Sequence, residues 1–204
     1  MKAECPDAPA TSRNRDPILE VLRDEFADRS SVLEIGSGTG QHAAYLAGHL
    51  THLTWQTSDV ADNHAGICAW CAAADLANLR DPVALDVRTD PDPDGEYDAV
   101  FSANTAHIMD TDAVQAMIAL VGRLLPEDGR FCLYGPFRLN GDFTSDSNAA
   151  FDATLRSRGQ GMGIRDIEWL DNLAQNAGME RSGLIAMPAN NFIAVWRKIA
   201  TLWA

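Results

Sequence analysis

A glycine-rich segment between a strand and a helix constrains this sequence more than any other feature. Residues 31–35 form a short apolar run, and the glycine loop follows directly, with Gly36, Gly38 and Gly40, before a predicted helix over 41–50. Glycine adopts positive φ and leaves no Cβ between backbone and ligand, and a helix N-terminus presents free N–H groups to an anion. The pattern predicts an α/β fold with an anion-binding loop; the alternative is a tight turn with no ligand.

The spacing of the glycines limits the class of ligand that the loop can bind. Dinucleotide-binding loops follow the pattern G-x-G-x-x-G, but the corresponding position here is Gln41. The loop is one residue short for a pyrophosphate and suits a small carboxylate, such as that of an amino acid. This spacing, and the lack of an obvious Tyr-x-x-x-Lys pair, count against a nicotinamide-dependent oxidoreductase.

Strands and helices alternate along the rest of the chain. The predicted strands cover residues 31–35, 53–57, 83–85, 97–102, 131–134, 182–187 and 191–197. The first five are each followed by a helix or helical loop, and the last two are consecutive. We therefore predict an α/β fold with a Rossmann-like seven-stranded, mostly parallel sheet, helices on both faces and a C-terminal antiparallel hairpin. Residues 1–12 are predicted to be a flexible lead-in and 13–204 a single domain.

Local signals predict three helix boundaries. Pro17 suits the first turn of the first helix. Asp112, with a glutamine three residues later, is predicted to cap the helix that follows the fourth strand. Gly178 is predicted to lie just beyond the end of a helix over 166–177.

Composition excludes several kinds of partner. The chain has 16 basic and 29 acidic residues, a net charge of −13, which argues against nucleic acid and anionic membranes as partners. Four cysteines are too few for a disulfide scaffold. Cys68 and Cys71 share a helix face with His64, but no second ligand pair matches them, so we predict no metal. With no signal peptide or long apolar run, a cytoplasmic protein is expected.

Polar residues follow the predicted parallel strands, at the edge where such sheets bind ligands. Asp59 can accept hydrogen bonds from both hydroxyls of a ribose, with a helix-capping role as the alternative. Asp86 can accept from an exocyclic amino group, and its alternative is a solvated loop acid. Asn104–His107 and Tyr134–Phe137 follow two further strands.

The set Glu34-x-Gly36-x-Gly38-x-Gly40, Asp59, Asp86 and a strand with Asp98 resembles the class I S-adenosylmethionine-dependent methyltransferases. Longer stretches are similar to the methyltransferase-like 26 family, also called domain of unknown function 938. These stretches are residues 13–19, 32–42, 55–59, 104–109, 134–137, 144–148, 151–152, 163–166 and 187–191. The resemblance extends over most of the chain, from residue 11 to residue 198.

The resemblance implies S-adenosyl-L-methionine as cofactor and methyl transfer to a small molecule by in-line displacement at the sulfonium methyl. The expected cofactor-binding residues are Glu34, Gly36, Ser37, Gly38, Gly40, Asp59, Asp86 and Asn104. The alternative is a non-catalytic S-adenosylmethionine-binding protein that regulates or scaffolds. Neither the enzyme hypothesis nor the binding-protein hypothesis predicts an oligomeric state.

Three residues are candidates for the chemistry itself. His107 is the expected general base, since an imidazole titrates near neutrality; a structural histidine is the alternative. Asn104 is expected to bind the substrate or the ammonium of the cofactor. Tyr134 is expected to offer an aromatic face to the sulfonium or the substrate, with core packing as its alternative.

Segment 135–165 is long, rich in glycine and polar residues, and contains a predicted helix over 147–157; it is expected to be a lid over the site. Arginines in this segment suggest an anionic small substrate, although pairing with nearby aspartates is the alternative. The candidate substrate residues are Arg13, Asn14, Phe137, Asn148, Arg156 and Arg165.

Overall fold

A computed structural model describes residues 5–159 and 161–200 of the chain. The contacts divide the chain into two compact units, one ending at Ser102 and one starting at Ala103. The first unit holds α1 (Pro9–Glu25), β1 (Ser31–Ile35), α2 (Gln41–His49), β2 (Thr54–Asp59), α3 (His64–Ala74), β3 (Leu79–Ala84) and most of β4 (Ala99–Ala103). The second holds α4 (Thr111–Leu124), β5 (Arg130–Gly135), β6 (Phe137–Leu139), β7 (Asp142–Phe143), α5 (Asp146–Arg158), β8 (Arg165–Asp166), α6 (Ile167–Asn176), β9 (Met179–Met187) and β10 (Asn191–Lys198). The single domain expected for 13–204 stays a prediction.

Seven strands form one sheet in the order β3-β2-β1-β4-β5-β10-β9. β1 pairs in parallel with β2 and with β4, and β2 pairs in parallel with β3. β10 is antiparallel to both β5 and β9. The predicted mostly parallel α/β sheet with a C-terminal antiparallel hairpin is confirmed.

β1 forms around three apolar side chains among its five residues. Val32, Leu33 and Ile35 are buried, as in strands that are covered on both faces of a parallel sheet. β3 starts earlier than the predicted 83–85 and contains Pro82. It is the outermost strand on its side of the sheet, where the missing N–H of a proline is tolerated.

The first helix begins earlier than the sequence predicts. It starts at Pro9, so residues 9–12 of the expected flexible lead-in are helical; residues 1–4 lie outside the described part of the chain. Pro17 is inside this helix and not in its first turn. The apolar residues Ile18 and Leu22 bury the helix against the core, which outweighs the hydrogen bond that the proline ring removes.

In the second unit, α4 is capped by Asp110, whose carboxylate accepts a hydrogen bond from the Ala113 N–H at 2.8 Å. The prediction of Asp112 as this cap is wrong, because that residue lies in the first helical turn. Gly178 follows α6 with φ of 73°, as predicted.

Segment 135–165 forms a small structure of its own. β6 pairs antiparallel with β7 and parallel with β8, and α5 covers the predicted helix over 147–157. The segment is ordered into a three-stranded sheet and a helix, and its role as a lid stays a prediction.

Candidate functional site

The glycine loop connects β1 to α2 and needs its glycines for conformation. Gly36, Gly38 and Gly40 have φ of 73°, 60° and 87°, which other L residues rarely adopt. The N–H groups of Gly36 and Ser37 both donate to the carbonyl of Ser58 at 3.0 Å. The end of β2 therefore holds the start of the loop.

Two of these glycines meet different surroundings. A Cβ on Gly40 would lie 2.8 Å from the Cα of Ile67 and 3.3 Å from the Cβ of Trp70, so this glycine allows α2 to pack on α3. A Cβ on Gly38 would meet no atom within 4 Å. Gly38 is therefore the position of the loop where a ligand can approach the backbone closely.

Glu34 lies beneath the loop, buried within the first unit. Its Oε2 accepts hydrogen bonds from Ser37 Oγ at 3.0 Å and from Trp55 Nε1 at 3.1 Å. Burial raises the pKa of Glu34 to about 7. Both bonds end on Oε2, and through them Glu34 fixes Ser37 and the shape of the loop. The expected contact of Glu34 with the cofactor stays a prediction.

Asp59 ends β2 and turns its carboxylate to the glycine loop. Its Oδ2 accepts from the Gly38 N–H at 2.7 Å, and its Oδ1 accepts from the Val60 N–H at 2.7 Å and from Asn63 Nδ2 at 2.9 Å. An ionised carboxylate has about four acceptor positions, so these three bonds leave room for a further donor. The side chain sits next to the open position of Gly38.

Asp86 follows β3 and is held by a neighbouring arginine. Its Oδ1 accepts from the backbone N–H of Arg88 at 3.0 Å, and its Oδ2 accepts from Arg88 Nη2 at 3.0 Å. These bonds lower the pKa of Asp86. The expected contact of Asp86 with an amino group stays a prediction, now in competition with Arg88.

The N-terminal candidates differ in exposure. Arg13 is exposed on α1. Asn14 is buried, and its Oδ1 lies 2.8 Å from His42 Nε2. Burial lowers the pKa of His42 to about 4, so this ring is neutral and donates to the amide oxygen. Asn14 thus uses its side-chain oxygen to join α1 to α2, and its expected contact with substrate stays a prediction in competition with this bond.

In the second unit, Asn104 and Tyr134 meet through their backbones. Asn104 comes directly after β4 with φ of 60°, and its N–H donates to the carbonyl of Tyr134 at 2.9 Å. A positive φ in a residue other than glycine is a strained conformation that concentrates at functional sites. Tyr134 is buried, which favours its core-packing alternative.

His107 is 6% exposed and contacts Phe151 edge-on, with ring centroids 5.4 Å apart. Burial, and then the charge of Arg165, lower its pKa to about 4. A Cβ on Gly135 would come within 3.6 Å of His107 Nδ1, so a glycine at this strand end leaves space beside the ring. The sequence analysis included Phe151 in the stretch 151–152 of the resemblance but did not propose it as a site residue, although it is the only aromatic residue of α5.

Arg165 is bound to the backbone. Its Nε donates to the carbonyl of Ala106 at 2.9 Å, and its Nη2 donates to those of Met109 and Gly161, each at 2.5 Å. These bonds hold the segment around His107. The expected contact of Arg165 with a substrate stays a prediction, now in competition with these three carbonyls.

The other arginines of segment 135–165 support the pairing alternative. Arg156 Nε donates to Asp152 Oδ2 at 2.6 Å, and Arg138 pairs with Asp166. The positive charge of these two arginines, part of the set that suggested an anionic substrate, is thus balanced by neighbouring carboxylates.

Two further candidates are packed inside the second unit. Phe137 is 1% exposed and belongs to the core. Asn148 donates from Nδ2 to Thr144 Oγ1 at 2.9 Å and to the carbonyl of Asn190 at 3.0 Å. Their expected contacts with substrate stay predictions, in competition with this packing and these hydrogen bonds.

The Cys68-x-x-Cys71 helix shows a structural arrangement. Cys71 Sγ lies 3.7 Å from the carbonyl of Arg80, and the His64 ring nitrogen lies 3.0 Å from the carbonyl of Asp59. Within residues 5–159 and 161–200, no three His, Cys, Asp or Glu side chains are grouped so that they could hold a metal. Over the same residues, no helix is both long and apolar enough to cross a bilayer.

The fold is shared with solved methyltransferases. An O-methyltransferase family protein from Burkholderia thailandensis superposes with a TM-score of 0.81 at 16% identity, over 95% of this chain and 58% of that one. The S-adenosylmethionine-dependent methyltransferase SibL superposes with 0.79 at 19% identity, over 94% and 56%. PigF, solved with S-adenosylhomocysteine, superposes with 0.78 at 17% identity, over 92% and 56%. The chain has the class I methyltransferase fold.

The chain also matches a family along almost its whole length. It belongs to the family described as "Protein of unknown function (DUF938)", which matches residues 5–198. This confirms the resemblance noted from the sequence. The chain spans less than two thirds of the length of the three solved structures.

Proposed function

We propose that the protein is an S-adenosylmethionine-dependent methyltransferase that acts on a small molecule. The observation that carries the proposal is the arrangement at the ends of β1 and β2. Gly38 has open space where a side chain would stand, and its N–H is bonded to Asp59 at 2.7 Å. A backbone cradle beside a carboxylate with a spare acceptor position suits an amino-acid head group and a ribose.

Each residue around the glycine loop has its own proposed role. The first N–H groups of α2 bind the carboxylate of the cofactor, and Asp59 accepts hydrogen bonds from its ribose hydroxyls. Glu34 and Ser37 hold the loop in shape. When bound, the cofactor supplies a methyl group on a sulfonium for in-line displacement. Because the sulfonium already provides a good leaving group, the protein mainly orients the acceptor and excludes water.

His107 is the residue we propose to receive the proton of the acceptor. Its lowered pKa keeps the imidazole neutral at pH 7, so the ring can accept a hydrogen bond from a hydroxyl, amine or thiol. Asn104 is proposed to orient the acceptor or the cofactor ammonium. The ion pairs of Arg138 and Arg156 favour a neutral acceptor over the anionic one that the arginines of segment 135–165 suggested.

One observation favours the alternative of a non-catalytic binder. A pKa of about 4 makes His107 a weak base. The experiment that separates the two functions is incubation of the protein and S-adenosylmethionine with a panel of phenols, amines, acids and thiols. Formation of S-adenosylhomocysteine in proportion to acceptor supports the enzyme. Binding of the cofactor with no turnover on any acceptor supports the binder, and no binding refutes both.

A further inference from the structure

Gln41, the first residue of α2, binds the N-terminal segment with both polar atoms of its side chain. It is 5% exposed. Its Oε1 accepts from the Ala8 N–H at 2.8 Å, and its Nε2 donates to Asp7 Oδ1 at 3.2 Å and to Ser12 Oγ at 3.4 Å. Ala8 is the N-cap of α1, and its own methyl side chain makes no capping hydrogen bond. Gln41 thus anchors the start of α1 from another helix.

Residues 5–8, which we call the N-terminal strap, lie on the helix face that also supports the glycine loop. Trp70 Nε1 donates to the carbonyl of Pro6 at 2.8 Å. A Cβ on Gly66 would lie 2.9 Å from Pro6 Cγ and 3.6 Å from the carbonyl oxygen of Thr39. Strap and loop therefore pack against the same turns of α3.

The buried hydrogen bond between Asn14 and His42, at 2.8 Å, is a second connection to the start of α2. The first two residues of α2 are thus both fixed by residues 7–14. The N–H groups of this first turn are unsatisfied by the helix itself, and they are the groups proposed to bind the cofactor carboxylate. A change in the strap is therefore transmitted to the binding groups through Gln41.

We propose that Gln41 is a positioning residue that couples the order of the N-terminal strap to cofactor affinity. The inference rests on the proposed function, since it concerns the same glycine loop. When Gln41 loses its partners, the fraction of molecules with a competent loop falls, and the apparent affinity falls by that fraction. Because coupling is reciprocal, cofactor binding stabilises the strap by the same factor.

The test exchanges donor and acceptor between Gln41 and Asp7. Gln41→Glu keeps the acceptor for the Ala8 N–H but sets a carboxylate against Asp7. Adding Asp7→Asn restores a donor opposite the new carboxylate. We expect the dissociation constant of S-adenosylhomocysteine, measured by calorimetry, to rise about tenfold in Gln41→Glu and to return to within about twofold of wild type in the double variant. Gln115→Glu, on the exposed side of α4, is the matched control.

A second measurement tests the reciprocal effect, that of the bound ligand on the N-terminal strap. Addition of S-adenosylhomocysteine to the wild type should slow hydrogen exchange of the Ala8 amide. The expected slowing is about the factor by which Gln41→Glu raises the dissociation constant. If Gln41→Glu does not fold, Asp7→Ala at an exposed position should raise the dissociation constant about threefold. Unchanged affinity in these variants, with a wild type that binds, overturns the role of Gln41 alone. A wild type that does not bind overturns the proposed function as well.

Discussion

The sharpest prediction compares one added methyl group at three glycines. Gly38 and Gly141 have φ of 60° and 82°, and a Cβ at either position would meet no atom within 4 Å. Alanine at each should therefore cost only backbone strain, about 1–2 kcal/mol of the free energy of unfolding. At Gly40, the methyl would lie 2.8 Å from the Cα of Ile67. Overpacking against backbone adds about 1–3 kcal/mol there.

The same variants should rank differently in cofactor affinity than they do in stability. A methyl group at Gly38 would stand where the ligand approaches the loop, and a forced contact of about 1–3 kcal/mol raises the dissociation constant about 5- to 150-fold. Gly38→Val should bind more weakly still. Gly141→Ala, in the other unit of the chain, should bind as the wild type does.

The assay combines urea denaturation with calorimetric titration of S-adenosylhomocysteine. The expected pattern is a small loss of stability with lost affinity for Gly38→Ala and an equal loss of stability with full affinity for Gly141→Ala. Gly40→Ala should show the largest loss of stability. If Gly38→Ala binds as tightly as Gly141→Ala, the assignment of the glycine loop is refuted.

Three further predictions concern buried groups. Glu34 has a pKa of about 7 in the fold against an ordinary 4.5, so on acidification the native state takes up this proton before the unfolded state does, and the free energy of unfolding rises. Relative to Glu34→Gln, the wild type should gain at most about 3 kcal/mol of unfolding free energy between pH 7.5 and 4.5, measured by urea titration. If the unfolding free energies of the two proteins change in parallel with pH, the burial argument is contradicted. His107→Ala should lower turnover about 10²- to 10⁴-fold while the dissociation constant of S-adenosylhomocysteine changes less than about twofold; equal turnover would leave His107 a structural residue. Arg165→Lys should cost about 2–4 kcal/mol of unfolding free energy, since one ammonium cannot satisfy three carbonyls held by a guanidinium, and an unchanged urea midpoint would count against this.

The sheet was predictable because its signals are local. The apolar run of Val32, Leu33 and Ile35 and the glycines after it fix a central strand and its exit without knowledge of the rest of the chain. The ends of the helices were harder to predict from the sequence. Pro17 has the chemistry of a first-turn proline, yet burial of Ile18 and Leu22 extends the helix past it. Two aspartates lie close together before α4, and only the backbone geometry selects Asp110 as the cap.

The direction of a side chain was the main feature that sequence could not give. Glu34 belongs to the glycine pattern that carries the resemblance, but its carboxyl accepts a hydrogen bond from Trp55, a residue 21 positions away. The arginines of segment 135–165 suggested an anion site by their number. Their partners are carbonyls of Ala106 and Met109, which carry no signal in the sequence, and acids such as Asp152.

The pairing of β6 with β8 has a consequence for how this protein can diversify. Phe137 is in register with Arg165, and Arg138 with Asp166, so the two stems of the segment are hydrogen-bonded to each other in parallel. Because the two strands are parallel, the chain leaves β6 at one end of this pair and enters β8 at the other. Residues 140–164 therefore have to connect opposite ends of the pair and cannot be shortened to a tight turn. An exchange of these residues for those of another member of the family has to keep this crossing if β5 and α6 are to keep their places.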